Sequence, residues 1–289
     1  LASYIMDGVG SPGLIVDGYN SPHSFQLKPS HAKMLEQADI IFWIGEDLEN
    51  FLEKPLATIA KKAEKIELLE IKGIKKLKFR ERNIFEEHEG HDDHGDDAKK
   101  EEHDDHGHDA KKEEHDDHDD HGHGEYDPHI WLDPINAKVI LNEITEHLIE
   151  NDSKNAATYK SNLAKAISEI DKLIIDVITE TNTDLSYVVF HDAYQYYENR
   201  FNVNILGAMT VNPDVMPGAE QIHEIHEVIE HDNVSCILSE PQFNPDIIKS
   251  IAKDTSVKTG VLDPLGANLK PGKDLYFDLI RNMSASFNC

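Results

Sequence analysis

Histidine and aspartate side chains alternate through one stretch of this chain at spacings suited to collecting a divalent metal. The block His91-Asp-Asp-His-Gly-Asp-Asp-Ala-Lys-Lys-Glu-Glu102 recurs almost unchanged from His103 to Glu114, a period of twelve, and a degenerate third copy runs from His115 to His123. His91, His94, His103, His106, His108, His115, His118, His121 and His123 are its candidate ligands. Imidazole suits zinc, copper and nickel, while carboxylates add affinity and attract cations from a distance. Between His88 and Gly124 no apolar residue is larger than alanine, so the stretch cannot build a packed core and is expected to be disordered. It reads either as a metal-collecting arm or as a solvated acidic insert with no specific ligand.

A second set of ligand-type residues is scattered, but each stands at the end of a strand-like run. His191 follows Tyr187-Val-Val-Phe190, Glu240 follows Cys236-Ile-Leu-Ser239, and Asp263 follows Thr259-Gly-Val-Leu262. Open α/β sheets bind ligands at the carboxyl ends of their strands. His23 and His129 lie in loops punctuated by Pro22 and Pro128. Against these, His223 and His226 share a helical face with several glutamates and read as solvated. His31 and His147 read as ordinary helix-surface residues.

The elements that must position these groups alternate between strand and helix, which predicts an α/β protein with mainly parallel sheets flanked by helices. Leu14 to Asp17 is expected as a short strand, followed by a helix over Ala32–Ala38, a strand over 39–44, a helix over 48–62 and a strand over 66–71. Asp133-Pro134 supplies an N-cap and first-turn proline for a helix through Leu148. Residues 153–181 carry Leu163, Ile167, Ile170, Ile174 and Val177 as one stripe without glycine or proline, predicting a single long linking helix. A second alternation follows it, with strands at 187–190, 203–206, 234–239 and 257–262 and helices at 218–230, 245–253 and 273–287. The organisation expected is a first lobe over 1–86 and 125–152, a His/Asp-rich loop over 87–124, the linking helix, and a second lobe over 182–289.

The formal net charge is −28, and residues 86–127 alone hold twenty Asp or Glu against four Lys, a net of −16. Such a balance argues against nucleic acid and anionic membrane surfaces as partners. The longest apolar runs, such as Ile40-Ile-Phe-Trp-Ile44, are too short to span a bilayer. The chain starts at Leu1 without a signal peptide and reads as processed or trimmed. Of the two cysteines, Cys236 sits in a strand-like run and Cys289 lies far along the chain. They are either a staple, which would imply an oxidising compartment, or two unrelated thiols.

Four segments in order carry a family resemblance. Ser21-Pro-His-Ser-Phe-Gln-Leu-Lys-Pro-Ser30 resembles the first metal-ligand segment of the periplasmic zinc-binding proteins of ABC importers, the ZnuA type. Asp127-Pro-His-Ile-Trp-Leu-Asp-Pro134 resembles the second, Phe190-His-Asp-Ala-Tyr194 the third and Leu262-Asp-Pro-Leu-Gly266 the last. Glu240-Pro-Gln-Phe243 and the His/Asp-rich insert ahead of the second segment are similar too. The resemblance implies two α/β lobes joined by a long rigid helix, with Zn2+ held between them by His23, His129 and His191. Asp263 or a water would be the fourth ligand, Glu240 would line the cleft or orient a neighbour, and Cys236 and Cys289 would form a disulfide. It also implies a monomer that hands zinc to an ABC permease in the periplasm. Two departures stand out: Pro22 occupies the place where some relatives carry a glutamate, and the first strand of the family's first lobe is expected to be missing.

Three neutral imidazoles favour zinc, whereas manganese prefers more oxygen ligands. A free-standing zinc buffer or adhesin on the same fold would share every motif. A zinc hydrolase would need a general base beside an open coordination position, for which Asp192 is the tempting residue, but no H-E-x-x-H or nucleophile elbow exists. The expected function is therefore binding and delivery, not catalysis.

Overall fold

Short apolar runs bounded by glycine, proline and aspartate become strands, and the longer periodic segments between them become the helices that cover the sheets. The computed structural model describes residues 1–85, 124–213, 215, 217–255 and 257–289. The His/Asp-rich loop, with its nine candidate ligands and its expected disorder, lies outside the described residues.

The first lobe contains α1 (Ala2–Ile5), α2 (Pro29–Gln37), β1 (Ile40–Trp43), α3 (Glu46–Thr58), β2 (Glu64–Glu67) and α4 (Pro134–Asn151). β1 and β2 pair in parallel, Ile40 opposite Glu64 and Trp43 opposite Glu67. Leu35, Trp43, Leu52 and Leu56 pack α2 and α3 onto one face; Ile66, Ile140, Leu141 and Ile144 join the main core on the other. α2 starts at Pro29, one residue before the expected cap at Ser30, because the fixed φ of proline is already helical at a first-turn position. The strand expected at Leu14–Asp17 does not form: those residues run through bends, and Leu14 is 54 % exposed. Flanking Gly13 and Gly18 weaken an extended ladder, and Gly18 packs its backbone on Gly266 and Ala267 instead. A Cβ there would lie 2.8 Å from Ala267 N.

A turn at Ser153–Asn155 leads into α5 (Ala156–Glu180), whose 25 residues span about 37 Å. Its buried stripe is Tyr159, Asn162, Ala166, Ile170, Leu173 and Val177. Leu163, Ile167 and Ile174, expected at its centre, flank it half-buried. The core cluster along α5 is continuous from Tyr4 and Ile5 to Met283 and Phe287, so the helix is a spine inside shared packing.

The second lobe holds β3 (Ser186–His191), α6 (Gln195–Phe201), β4 (Asn204–Thr210), α7 (Ala219–His231), β5 (Cys236–Ser239), α8 (Asp246–Asp254), β6 (Lys258–Val261) and α9 (Leu275–Ser286). Its four strands are all parallel, in the order β4-β3-β5-β6. Cys236 and Cys289 form a disulfide that ties the end of α9 to β5. Closing the 53-residue separation is worth about 4 kcal/mol on a chain-entropy account. Among the described residues no helix is long and apolar enough to cross a membrane.

A strap that carries no sequence period crosses between the lobes. Its first part holds the segment leading to His129: Phe79 N–H donates to Glu125 O at 3.2 Å and Asp127 N–H to Leu77 O at 2.9 Å. Its second part lies along β4, where Phe85 N–H donates to Leu206 O at 2.9 Å, Ala208 N–H to Asn83 O at 2.8 Å, and Asn83 Nδ2 to Met209 O at 2.9 Å. Gly207 makes this approach possible, since a Cβ there would stand 2.7 Å from Asn83 O.

Candidate metal centre

His23, His129 and His191 come from three separate segments and meet at one point. His191 is the last residue of β3, His129 caps the turn Ile130–Leu132 ahead of α4, and His23 sits in the loop before α2. One ring nitrogen from each lies within 4.8 Å of the others. His129 Nε2 is 3.5 Å from His23 Nε2 and 3.4 Å from His191 Nε2. Two nitrogens of a tetrahedral zinc site, each about 2.05 Å from the ion, must stand about 3.4 Å apart.

The opposite ring nitrogens show why these contacts are not ordinary hydrogen bonds. His129 Nδ1 donates to Asp127 Oδ1 at 2.8 Å, and the same oxygen accepts from the His129 backbone N–H at 2.9 Å. His191 Nδ1 donates to Glu240 Oε1 at 2.7 Å. With both Nδ1 atoms carrying the proton, both Nε2 atoms present lone pairs. Two lone pairs aimed at one buried point repel, and a cation between them removes the conflict. His129 and His191 are each 3 % exposed, so water does little to screen that repulsion.

Burial, with His191 nearby, holds the His129 imidazole well below its usual pKa. Burial pulls His191 the same way, but the charge of Glu240 and its hydrogen bond reverse the balance, and the net direction is upward. Burial pushes Asp127 up to about 7 against the pull of the His129 N–H, His191 and Arg80. Behind His191 lies a second charged group. Arg80, on the strap, donates to Asp192 Oδ1 at 3.0 Å and Glu198 Oε2 at 2.6 Å while its guanidinium stacks on Phe85. Burial drives these two acids up to about 7 and about 8, partly offset by Arg80.

Asp263 is not part of the histidine cluster. Its carboxylate accepts from the backbone N–H of Leu265 (3.0 Å), Gly266 (2.9 Å) and Ala267 (2.6 Å) and from Gln242 Nε2 (3.0 Å). It thereby shapes the loop that supports Trp131, whose indole donates to Pro264 O at 3.0 Å and whose ring lies beside His129. Glu240, expected to line the cleft or orient a neighbour, lies against His191. Asp127, Arg80 and Gln242 were not singled out. Asp127 had a signal, since a carboxylate two residues before a candidate ligand on a tight Pro turn can reach back to its ring. Gln242 joins the lobes by donating to Gly18 O at 2.6 Å, on the loop that carries His23. Around the histidines the walls of Ser21, Trp131, Gln242, Phe243 and Leu265 leave about 10 Å³ of free space, room for one water.

Two parallel-sheet lobes, a helical spine and an imidazole cluster at their junction define the architecture of a metal-binding solute-binding protein. Residues 1–288 match the family described as ZnuA, zinc-uptake complex component A, periplasmic, and the chain belongs to that family. It is 47 % identical over 294 residues to the high-affinity zinc uptake system protein ZnuA of Brucella abortus (strain 2308), covering 99 % of this chain and 86 % of the relative. The protein of the same name from Yersinia pestis is 35 % identical over 293 residues, with 99 % and 86 % covered. Among solved structures, a crystal structure of ZnuA aligns with a TM-score of 0.72 at 20 % identity, covering 98 % of this chain and 94 % of that one. A mutant laminin-binding adhesin from Streptococcus agalactiae aligns at 0.74 and 21 % identity, with 99 % and 94 % covered.

Proposed function

We propose that this protein captures Zn2+ in the periplasm on His23, His129 and His191 and delivers it to an ABC permease. The family description and the names of the relatives supply the zinc, the compartment and the uptake role. The observation that carries the site assignment is the convergence of Nε2 atoms whose rings are locked from behind by Asp127 and Glu240. The fourth ligand in this reading is a water in the small free space beside the histidines, because the Asp263 oxygens accept from backbone N–H groups and Gln242. The lobes proposed are 1–86 with 125–152 and 182–289, joined by 153–181. The role in this reading is binding without catalysis: Asp192, the tempting base of the sequence, is engaged by Arg80 at 3.0 Å. The histidines of the insert serve in this reading as an auxiliary collecting arm, their imidazoles interleaved with carboxylates that add affinity and attract cations.

Calorimetric titration of zinc into a variant lacking residues 88–123 tests the assignment. One tight equivalent is expected to remain, and His23→Ala, His129→Ala or His191→Ala is expected to weaken it at least a hundredfold. Loss of tight binding on deletion, with the three alanine variants unaffected, would overturn the assignment. Failure of zinc-loaded protein to stimulate its permease in reconstituted vesicles would instead favour a free-standing buffer or adhesin, a reading kept in view by the adhesin's fold.

A further inference from the structure

We propose a second divalent-cation site on the first lobe, built from Glu64, His147 and Glu150 with Glu143 orienting the imidazole. It shares no residue with the cleft site and stands or falls separately. Glu64 is the first residue of β2, and the other three lie on α4. One ligand atom from each of Glu64, His147 and Glu150 lies within 4.8 Å of the others. The sequence pattern marks His147 as a plain helix-surface residue, yet its side chain is only 18 % exposed. The ring lies edge-on to Phe42, with centroids 6.3 Å apart.

The two ring nitrogens are treated differently. Nε2 donates to Glu143 Oε1 at 3.2 Å, one helical turn back. Nδ1 is 3.0 Å from Glu64 Oε1, but it is buried and has no hydrogen-bond partner. The distance is short while the direction is wrong for an N–H pointing at that oxygen. A lone pair and a carboxylate oxygen that both aim at a third point give this geometry, because two ligands of one ion approach each other off the axis of either lone pair. A carboxylate holding one imidazole nitrogen while the other faces a cation is also the arrangement at His129 and His191, here with the ring nitrogens exchanged. Position adds to it: His147 and Glu150 occupy the last turns of α4, whose C-terminal carbonyls favour a cation.

One nitrogen and two carboxylate oxygens suit zinc or a cation of similar softness, with water completing the shell. Glu64 and Glu150 are exposed, so this site binds more weakly than the cleft and fills after it. In a protein that handles zinc, a loaded second site would register a surplus of the cargo on the lobe's outer surface.

Crystals of the full chain equilibrated with excess Zn2+, with data collected above and below the zinc absorption edge, test this. An anomalous peak about 2.0–2.2 Å from His147 Nδ1 and the carboxylates is expected beside the cleft peak. In equilibrium dialysis, Glu64→Gln and Glu150→Gln, both surface changes that spare the fold, should each remove one zinc equivalent. Glu143→Gln should weaken that equivalent ten- to a hundredfold. A filled cleft with no peak at His147, or unchanged stoichiometry in both glutamine variants, overturns the proposal and leaves His147 as a side chain packed between carboxylates. An empty cleft with this site filled would instead refute the cleft assignment alone.

Discussion

Replacing Glu240 by Gln changes one charge behind His191 and nearly nothing in shape. The Gln carbonyl can still accept from His191 Nδ1 across the 2.7 Å contact, so the ring orientation and tautomer are retained. Lost is the negative charge, buried to 1 % exposure beside an imidazole at 4 %, where water screens little. Changes to such partners weaken metal binding about ten- to a hundredfold, or about 1.4–2.7 kcal/mol. Retained geometry puts this variant near the lower end and Glu240→Ala near the upper. The pH dependence supplies a second reading. Glu240 raises the pKa of His191, so in the parent protein protons compete with zinc for Nε2 as pH falls toward that raised value. Without the charge the His191 pKa falls and competition sets in only at lower pH. The ratio of variant to parent Kd is therefore expected to be largest near pH 8 and to shrink toward pH 6. Competition with a chromophoric chelator across that range measures it. A ratio below two at pH 8, or one that stays constant or grows on acidification, would refute the reasoning.

Two further outcomes follow from the same geometry. Asp263→Ala removes an acceptor for three backbone N–H groups and should cost about 2 kcal/mol of stability, as loss of a strong cap does, while changing zinc affinity only severalfold; a hundredfold loss in the chelator assay would make Asp263 a ligand. Asp192 and Glu198 have folded pKa values raised from 3.8 and 4.5 to about 7 and about 8, so the native state holds extra protons between those limits and zinc-free stability declines as pH rises from the ordinary carboxylate values to the raised ones. Arg80→Gln should deepen the decline, costing about 3 kcal/mol at pH 8 and far less at pH 6, and equal losses in urea melts at both values would contradict it.

Where a residue's role depends on local pattern, the sequence was readable. β3, β5 and β6 and their trailing His191, Glu240 and Asp263 follow from apolar runs ending in a polar residue, and Asp133-Pro134 starts α4 as its N-cap chemistry demands. The disulfide and the zinc-uptake family came through the motifs. α6 was missed because Gln195, Tyr196, Tyr197, Glu198 and Phe201 are all buried, polar and apolar alike, so the segment carries no amphipathic period. The strap was missed because what orders it, Arg80 on buried acids and backbone N–H groups on β4, lies more than a hundred residues away in the chain. Leu14–Asp17 misled for the converse reason: β-propensity without a neighbouring strand does not make one.

The three histidines are not held alike. His129 and His191 are fastened to carboxylates, and the strap and α6 fix their segments to both lobes. Tyr196 accepts from Leu77 N–H and donates to Asp127 O, and Arg200 clasps Asp133 with two hydrogen bonds. Opening the lobes as rigid halves would break all of these together. His23 rides instead on an irregular loop, half-exposed, tied across the cleft through Gln242 and Gly18. In the proposed reading, a movement of the irregular His23 loop would open a face of the ion while the segments of His129 and His191 stay fixed to both lobes. Hand-over in that reading would be a ligand exchange with the receiving protein, without release of a free ion.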